Sequence, residues 1–362
     1  MVEIADQIDR WLAEGKKVAL ATVIATERSA PRPPGAAMAV TEGYDLVGSV
    51  SGGCVEAAVA QEAADVLLTG RPRRVTYGIS DEDAAAVGLS CGGIVHIFVE
   101  SLAAWPPGLF RALREAAERQ EPVAVVTAVS GPTSGAKMLV SGAAHEGTLG
   151  LPHLESRIVE DARALLARGE TGVRRYAPPG GAEEEVVEVF LQSFVPPPRL
   201  YVFGATDHAG ALVRIGKLLG YRVTVCDARA AFAVPQRFPE ADDVVVRWPH
   251  EFLAEAPVDA RTAICVFTHD AKFEVPLLKV ALEGPAGYIG VLGSRRTHEA
   301  RCRALVAEGV PPERLARLRA PIGLDIGART PAEIAVAIAA EMIALRSGRA
   351  GRDVVATLSR EA

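Results

Sequence analysis

The sequence has no C-x-x-C pair, and its five cysteines, Cys54, Cys91, Cys226, Cys265 and Cys302, are odd in number and scattered. That spacing argues against a disulfide framework and against a structural zinc site, and reads as reduced thiols in the cytoplasm. Positive charge is also in short supply: 39 Lys and Arg stand against 45 Asp and Glu, a formal net charge of -6. Without a basic stripe to release phosphate counterions, no nucleic-acid partner is expected, and any anionic ligand has to be held by local donors. Long apolar runs are missing too. No stretch approaches the ~20 apolar residues of a membrane span. The start, MVEIADQIDRWLAEG, carries acidic residues in an amphipathic pattern, so it is not read as a secretion signal, which needs a positive flank and an apolar core. Neither an internal repeat nor a low-complexity segment is legible.

What is present is an ordinary globular composition, 49% hydrophobic and 23% charged over 362 residues, long enough for two packed domains. Ile4, Ile8, Trp11 and Leu12 predict one face of a short helix ending at Gly15, because those spacings recur on one side of a 3.6-residue turn. A strand is expected at KVALATVIATE. The prolines of RSAPRPPG then forbid regular structure, and short strands resume at AAMAV and LVGSV, since proline fixes φ and lacks a donor. The Ala-rich run from Cys54 to Leu68 predicts a helix ending at Gly70, with Gly52-Gly53 at its N-terminal end. Residues 1–194 are read as one mixed α/β domain, and 195–199, VPPPR, as a semi-rigid linker. Residues 200–348 alternate apolar runs with helical patterns, the signature of a doubly wound parallel sheet with helices on both faces. Thr330-Pro-Ala-Glu333 is a capping box opening the last helix, and 349–362 is a tail.

Several loops could carry chemistry. Ser51-Gly52-Gly53-Cys54 puts a thiol where the positive end of a helix would favour thiolate. Ser90-Cys91-Gly92-Gly93 offers a second thiol beside a second glycine pair; the bland alternative for either is a small buried hydrophobe. Cys226 and Cys265 lie inside apolar strands and read as core, while Cys302 has no partner in view. Gly204-Ala-Thr206-Asp-His-Ala209 followed by Asp227 has the outline of a dinucleotide turn. Thr206 stands where the second glycine would let helix amides approach a pyrophosphate, so NAD(P) is not expected there. Asp227 could take a ribose hydroxyl or simply cap the next turn. Gly290-Val-Leu-Gly293-Ser294-Arg295-Arg296 gathers amides, a hydroxyl and guanidiniums where a phosphate would be favoured, unless it is only a solvated basic turn. Gly323-Leu-Asp325-Ile-Gly327 could form a tight loop at the same sheet edge. His269-Asp270 reads as a structural pair rather than a catalytic one.

Taken in order, GSVSGGCVEAAV, GLSCGGIVHIFVE, VTVCDAR, FTHD, YIGVLGSRR and PIGLDIGARTPAEIAVAIAAE resemble the XdhC/CoxI family over nearly the whole chain. The resemblance implies an N-terminal domain with the S-G-G-C-V-E loop and a Rossmann-like C-terminal domain. It further implies a chaperone that binds molybdenum cofactor, protects it during sulfuration with a cysteine desulfurase, and hands it to a molybdenum hydroxylase. That client would be of the xanthine or carbon monoxide dehydrogenase type, and the chaperone would have no turnover of its own. Cys54 and Cys91 match the family's glycine-loop cysteines, with molybdenum or sulfur contact as their expected role, and soft thiolates suit that task. Ser51, Gly52, Gly53 and Gly92 flank them. Gly204, Asp227, Ser294, Arg295 and Asp325 match the loops of the Rossmann crevice. One departure is the turn Gly-Ala-Thr-Asp-His-Ala, where relatives commonly read G-A-G-H-V-A. A nicotinamide-dependent oxidoreductase and a scaffold that never touches cofactor stay open as alternatives, as does a homodimer.

Overall fold

The computed structural model describes residues 1–28, 30–78, 93–177 and 186–347. The chain divides into two compact units between Pro196 and Pro197, each with its own sheets and cores. Cys91 and Gly92 lie outside the described residues, as does the tail from 348.

The first unit opens with α1 (Ala5–Ala13), β1 (Val18–Glu27), β2 (Ala37–Thr41), β3 (Leu46–Gly48), α2 (Glu56–Thr69), β4 (Arg73–Tyr77) and β5 (Ile94–Ser101). In α1, Ile8 and Trp11 are buried but Leu12 is exposed, so the apolar stripe is narrower than its spacing predicts. The same succession then returns as α3 (Leu109–Glu118), β6 (Val123–Ala128), β7 (Lys137–Ser141), β8 (His145–Gly147), α4 (Glu155–Arg168), β9 (Gly172–Tyr176) and β10 (Val187–Phe194). The two antiparallel sheets have equivalent orders, β3-β2-β1-β5-β4 and β8-β7-β6-β10-β9. Gly48 and Gly147 end β3 and β8 at φ 85° and 87°, and a Cβ at either would meet a backbone oxygen of the paired strand, Ala37 O at 2.3 Å or Lys137 O at 2.7 Å. The unit is therefore an internal duplication, which corrects the expectation that the chain holds no repeat.

Strand alternation, with its period of two, gives each sheet two apolar faces. Ala19, Ala21 and Val23 of β1 pack with Val59, Ala63 and Val66 of α2, and Ala124 and Val126 of β6 pack with Ile158, Ala162 and Leu165 of α4. The opposite faces meet each other: Val18 and Leu20 share a cluster with Val123 and Val125. The result is four layers, helix, sheet, sheet, helix. Between the sheets Lys137 Nζ lies 2.7 Å from a Glu100 carboxylate oxygen, both fully buried, donates to Thr127 Oγ1 at 2.8 Å and sits 4.7 Å over the Trp105 ring.

The second unit comprises β11 (Arg199–Phe203), α5 (Asp207–Leu218), β12 (Arg222–Asp227), β13 (Asp243–Val246), α6 (Pro249–Glu255), β14 (Ala263–Val266), α7 (Ala271–Glu283), β15 (Tyr288–Val291), α8 (Arg295–Ala307), α9 (Pro312–Leu315), β16 (Leu318–Arg319) and α10 (Pro331–Arg346). All six strands are parallel, in the order β13-β12-β11-β14-β15-β16, the doubly wound Rossmann order. One face of the sheet packs Leu200, Val202 and Val225 against Leu212 of α5 and Ile338 of α10. The other packs Phe203, Ile264 and Ile289 against Leu253 of α6, Leu277 of α7 and Leu305 of α8. The α10 capping box forms as its sequence predicts, with Thr330 accepting from the Glu333 amide and Glu333 accepting from the Thr330 amide. The order reverses between β11 and β14, so the loops after those strands flank the position where ligands of such sheets lie.

Candidate functional site

The loop between β3 and α2 is organised around a carboxylate. Glu56 Oε1 accepts the Ser49 hydroxyl at 2.6 Å and the amides of Val50 and Ser51 at 3.2 and 2.9 Å. Its Oε2 accepts the Ser51 hydroxyl and the amides of Gly53 at 2.9 Å and Val55 at 3.2 Å. Burial works against the Glu56 charge, but hydrogen bonds from Ser49, Ser51 and the backbone outweigh it and hold the carboxyl down to about 2. Ser51 is buried, and its hydroxyl also accepts the Cys54 and Val55 amides at 3.0 Å each. It is spent on the loop itself, whereas Gly52, Gly53 and Cys54 are exposed.

The helix begins at Glu56 with Val55 as its N-cap, two residues later than the sequence reading. Cys54 thus precedes the helix, and the anion at the helix's positive end is Glu56. Gly52 and Gly53 sit at φ 79° and 115°, and among the described residues no atom comes within 4 Å of where a Cβ would stand at either.

In the second unit Gly204 has φ 100°, and a Cβ there would come within 2.8 Å of Thr268 N; the crossing of the two loops demands glycine. Thr206 is the N-cap of α5, its hydroxyl accepting from the Ala209 amide. Asp227 is buried and accepts the Ala205 amide at 2.9 Å, the Arg229 amide at 2.9 Å, and Arg229 Nε and Nη2 at 2.9 and 2.7 Å. Burial opposes its charge, yet Arg229 and the amides keep its carboxyl below the ordinary aspartate range. Its acceptor capacity is therefore engaged in the turn. A cavity of about 360 Å³ adjoins it, lined among others by Thr206, Arg229, Phe232, Arg237 and His269. Arg229 lies 4.3 Å over the Phe232 ring, and Arg237 donates to the carbonyls of Ala205 and Phe232. Asp270 caps α7 and pairs with Lys272.

Ser294 caps α8 through the Thr297 amide at 3.2 Å, which leaves Arg295 and Arg296 exposed on the first turn. Sequence reasoning missed what supports them. Arg301 is buried and donates to Glu274 at 2.7 and 3.2 Å and to the Leu292 carbonyl at 2.9 Å, bracing the Gly293 turn from below. Asp325 is exposed in a loop that Glu341 anchors, accepting the Gly323 amide at 3.0 Å and the Tyr288 hydroxyl at 2.6 Å. The loops of Ser294 and Asp325 follow the neighbouring strands β15 and β16.

The other thiols divide by burial. Cys226 and Cys265 are core residues: burial pushes the Cys226 thiol up to about 12 and that of Cys265 higher still. Cys302 has a partner after all, His298 one helical turn earlier, with Nε2 3.5 Å from the sulfur; the i, i+4 spacing was the available signal. Among the described residues no cluster of three or more His, Cys, Asp or Glu could hold a metal ion. Among them no helix is long and apolar enough to cross a membrane.

Comparison with known proteins supplies the context. The family model described as the XdhC Rossmann domain matches residues 200–342. That of the XdhC and CoxI family matches 11–78 and 116–177, one segment in each copy of the duplication. The chain is 27% identical over 341 residues to a Bacillus subtilis protein named as a probable xanthine dehydrogenase subunit, covering 94% of this chain and 96% of the relative. It is 29% identical over 335 residues to the Escherichia coli molybdenum cofactor insertion chaperone PaoD, covering 92% of this chain and 85% of that one. A crystal structure described as a xanthine dehydrogenase from Bacillus halodurans superposes with a TM-score of 0.67 at 27% identity, over 96% of this chain and 97% of that one.

Proposed function

The chain belongs to the XdhC and CoxI family, and from that premise we propose that it is a maturation chaperone for a molybdenum hydroxylase, with molybdenum cofactor as its cargo. The names of its relatives, a cofactor insertion chaperone and a xanthine dehydrogenase subunit, support the maturation role. The observation that carries the reading further is the Cys54 loop: an exposed cysteine on a glycine-bordered turn that Glu56 and Ser51 hold by hydrogen bonds.

The cargo is an anionic pterin carrying a phosphate and a dithiolene-held metal, and it supplies the client's redox chemistry once delivered. The residues fit such a group. Cys54, with Cys91 as the expected second thiol, provides soft ligands, and the side-chain-free flank of Gly52 and Gly53, whose amides are held by Ser49 and Glu56, leaves room for a bulky ring among the described residues. Taken by itself, the second unit has an anion-suited turn of its own at Ser294–Arg296, with guanidiniums at a helix N-terminus. Sulfuration with a cysteine desulfurase, and a client of the xanthine or carbon monoxide dehydrogenase type, complete the proposal.

A nicotinamide role fits less well. Asp227 spends its oxygens on Arg229 and Ala205, and Thr206 occupies the α5 cap where a pyrophosphate would approach. The test is co-expression of a molybdenum hydroxylase with the chain or with its Cys54→Ser/Cys91→Ser variant. Wild type should raise client activity and sulfurated cofactor content, and the variant should do so much less. A variant as effective as wild type would remove the thiols from the mechanism and favour a scaffold.

A further inference from the structure

The duplication places a second version of the Cys54 loop between β8 and α4. Each loop position recurs 99 residues on, from Gly48 to Gly147 and from Glu56 to Glu155. Glu155 takes the role of Glu56: its Oε1 accepts the Thr148 hydroxyl and the amides of Leu149 at 2.8 Å and Leu151 at 3.4 Å. Burial opposes its charge, and Thr148 with these amides still holds its carboxyl below the usual range. Val50 and Leu149 are both buried beneath their loops, as are Val55 and Leu154. The chemistry on top differs. Where the first copy has Gly52, Gly53 and Cys54, the second has Leu151, Pro152 and His153.

One glutamate framework thus carries two different surfaces. A carboxylate that organises its loop in the same way in a copy with neither the thiol nor the glycine pair does not owe its place there to contact with whatever the thiol meets. In the first copy the six donors converging on Glu56 include the Ser51 hydroxyl and the Gly53 and Val55 amides, which flank Cys54 on both sides. We infer that Glu56 is the positioning residue of the Cys54 loop, fixing the backbone of Gly53 and Cys54 for cargo, and that the Glu155 loop is its duplicate without cargo. The inference rests on the proposal that the Cys54 loop holds the cofactor.

The duplicate supplies an internal control. Glu56→Gln keeps size but turns one acceptor oxygen into a donor, and Glu155→Gln does the same in the other copy. Each variant should lose hydrogen-exchange protection in its own loop. Pterin and molybdenum per folded chain, after expression in a cofactor-making host, should fall about tenfold in Glu56→Gln and by less than about twofold in Glu155→Gln. An equal fall in both would reduce Glu56 to a general structural role and overturn the inference, as would wild-type content in Glu56→Gln. Should Glu56→Gln fail to fold, Ser49→Ala removes a single donor and leaves the charge; its loss of cofactor should exceed that of Thr148→Ala, and equality would overturn the inference. Cys54→Ser separates the positioning role from the cargo site. If it loses cofactor while Glu56→Gln keeps it, only the positioning role fails; if it keeps cofactor, the loop is not the cargo site and both fail.

Discussion

The thiol of Cys54 and those of Cys226 and Cys265 belong to different chemical worlds, although all are single cysteines in apolar or glycine-rich sequence. Under native conditions at mildly alkaline pH, an alkylating reagent should modify Cys54 while Cys226 and Cys265 react only after unfolding, because burial suppresses both access and ionisation of the latter pair. Peptide mass spectrometry resolves the sites, and rapid modification of Cys265 in the folded chain would contradict its placement. Glu56 makes a second test at this scale. Its folded carboxyl titrates near 2 against an ordinary value of 4.5, so its contribution is complete above about 4.5 and is lost as pH falls towards 2. Exchange protection of the Ser51, Gly53 and Val55 amides should therefore persist at weakly acid pH and collapse only below that range. Loss beginning near neutrality would mean that the carboxylate is not so held.

Turns and helix caps are the elements with the strictest local demands, and these were the most legible parts of the sequence. The Thr330 capping box, the Gly204 turn and the Ser294 cap each announce themselves within a few residues, since glycine and short polar side chains answer local backbone needs. What those side chains are committed to was not legible. Ser51 and Asp227 look like ligand-facing groups in sequence, yet both are consumed largely by neighbours two to five residues on, contacts that depend on how each turn folds and not on residue type alone. The repeat escaped notice for a related reason: its copies share Gly48 with Gly147, Glu56 with Glu155 and an apolar rhythm, a pattern too sparse to stand out from ordinary strands. The difference between loop glycines can be measured by denaturant titration. Gly52→Ala should cost about 1 kcal/mol, the strain of left-handed backbone in open space. Gly48→Ala should cost clearly more, because its Cβ would also strike the Ala37 carbonyl. Equal costs would mean that β3 can shift to relieve the clash.

At the scale of the molecule, the first unit is held together by two sheets meeting across a buried charge pair that no local pattern reveals. Glu100 lies on β5, which reads as an apolar strand, and Lys137 opens β7, a strand that the sequence pattern did not announce. Burial drives the Glu100 carboxyl up and the Lys137 ammonium down, and their mutual attraction opposes both shifts. Lys137→Met should destabilise the unit by about 3–5 kcal/mol, since it leaves Glu100 buried and unpaired, and a joint Glu100→Leu replacement should recover much of that loss. Strict additivity of the two changes in a double-mutant cycle would show the pair to be uncoupled. The second unit contributes its Rossmann sheet and the Ser294 and Asp325 loops at the carboxyl ends of the strands, with Thr206 capping α5 and Asp227 paired with Arg229 at the first turn. These features are the ones on which the proposed carrier role rests. The most direct test is the molybdenum and oxidised-pterin content of the chain purified alone from a host that makes the cofactor. The account predicts both in near-equal amounts, greatly reduced in the Cys54→Ser/Cys91→Ser variant; wild-type protein that is folded and free of both would contradict it.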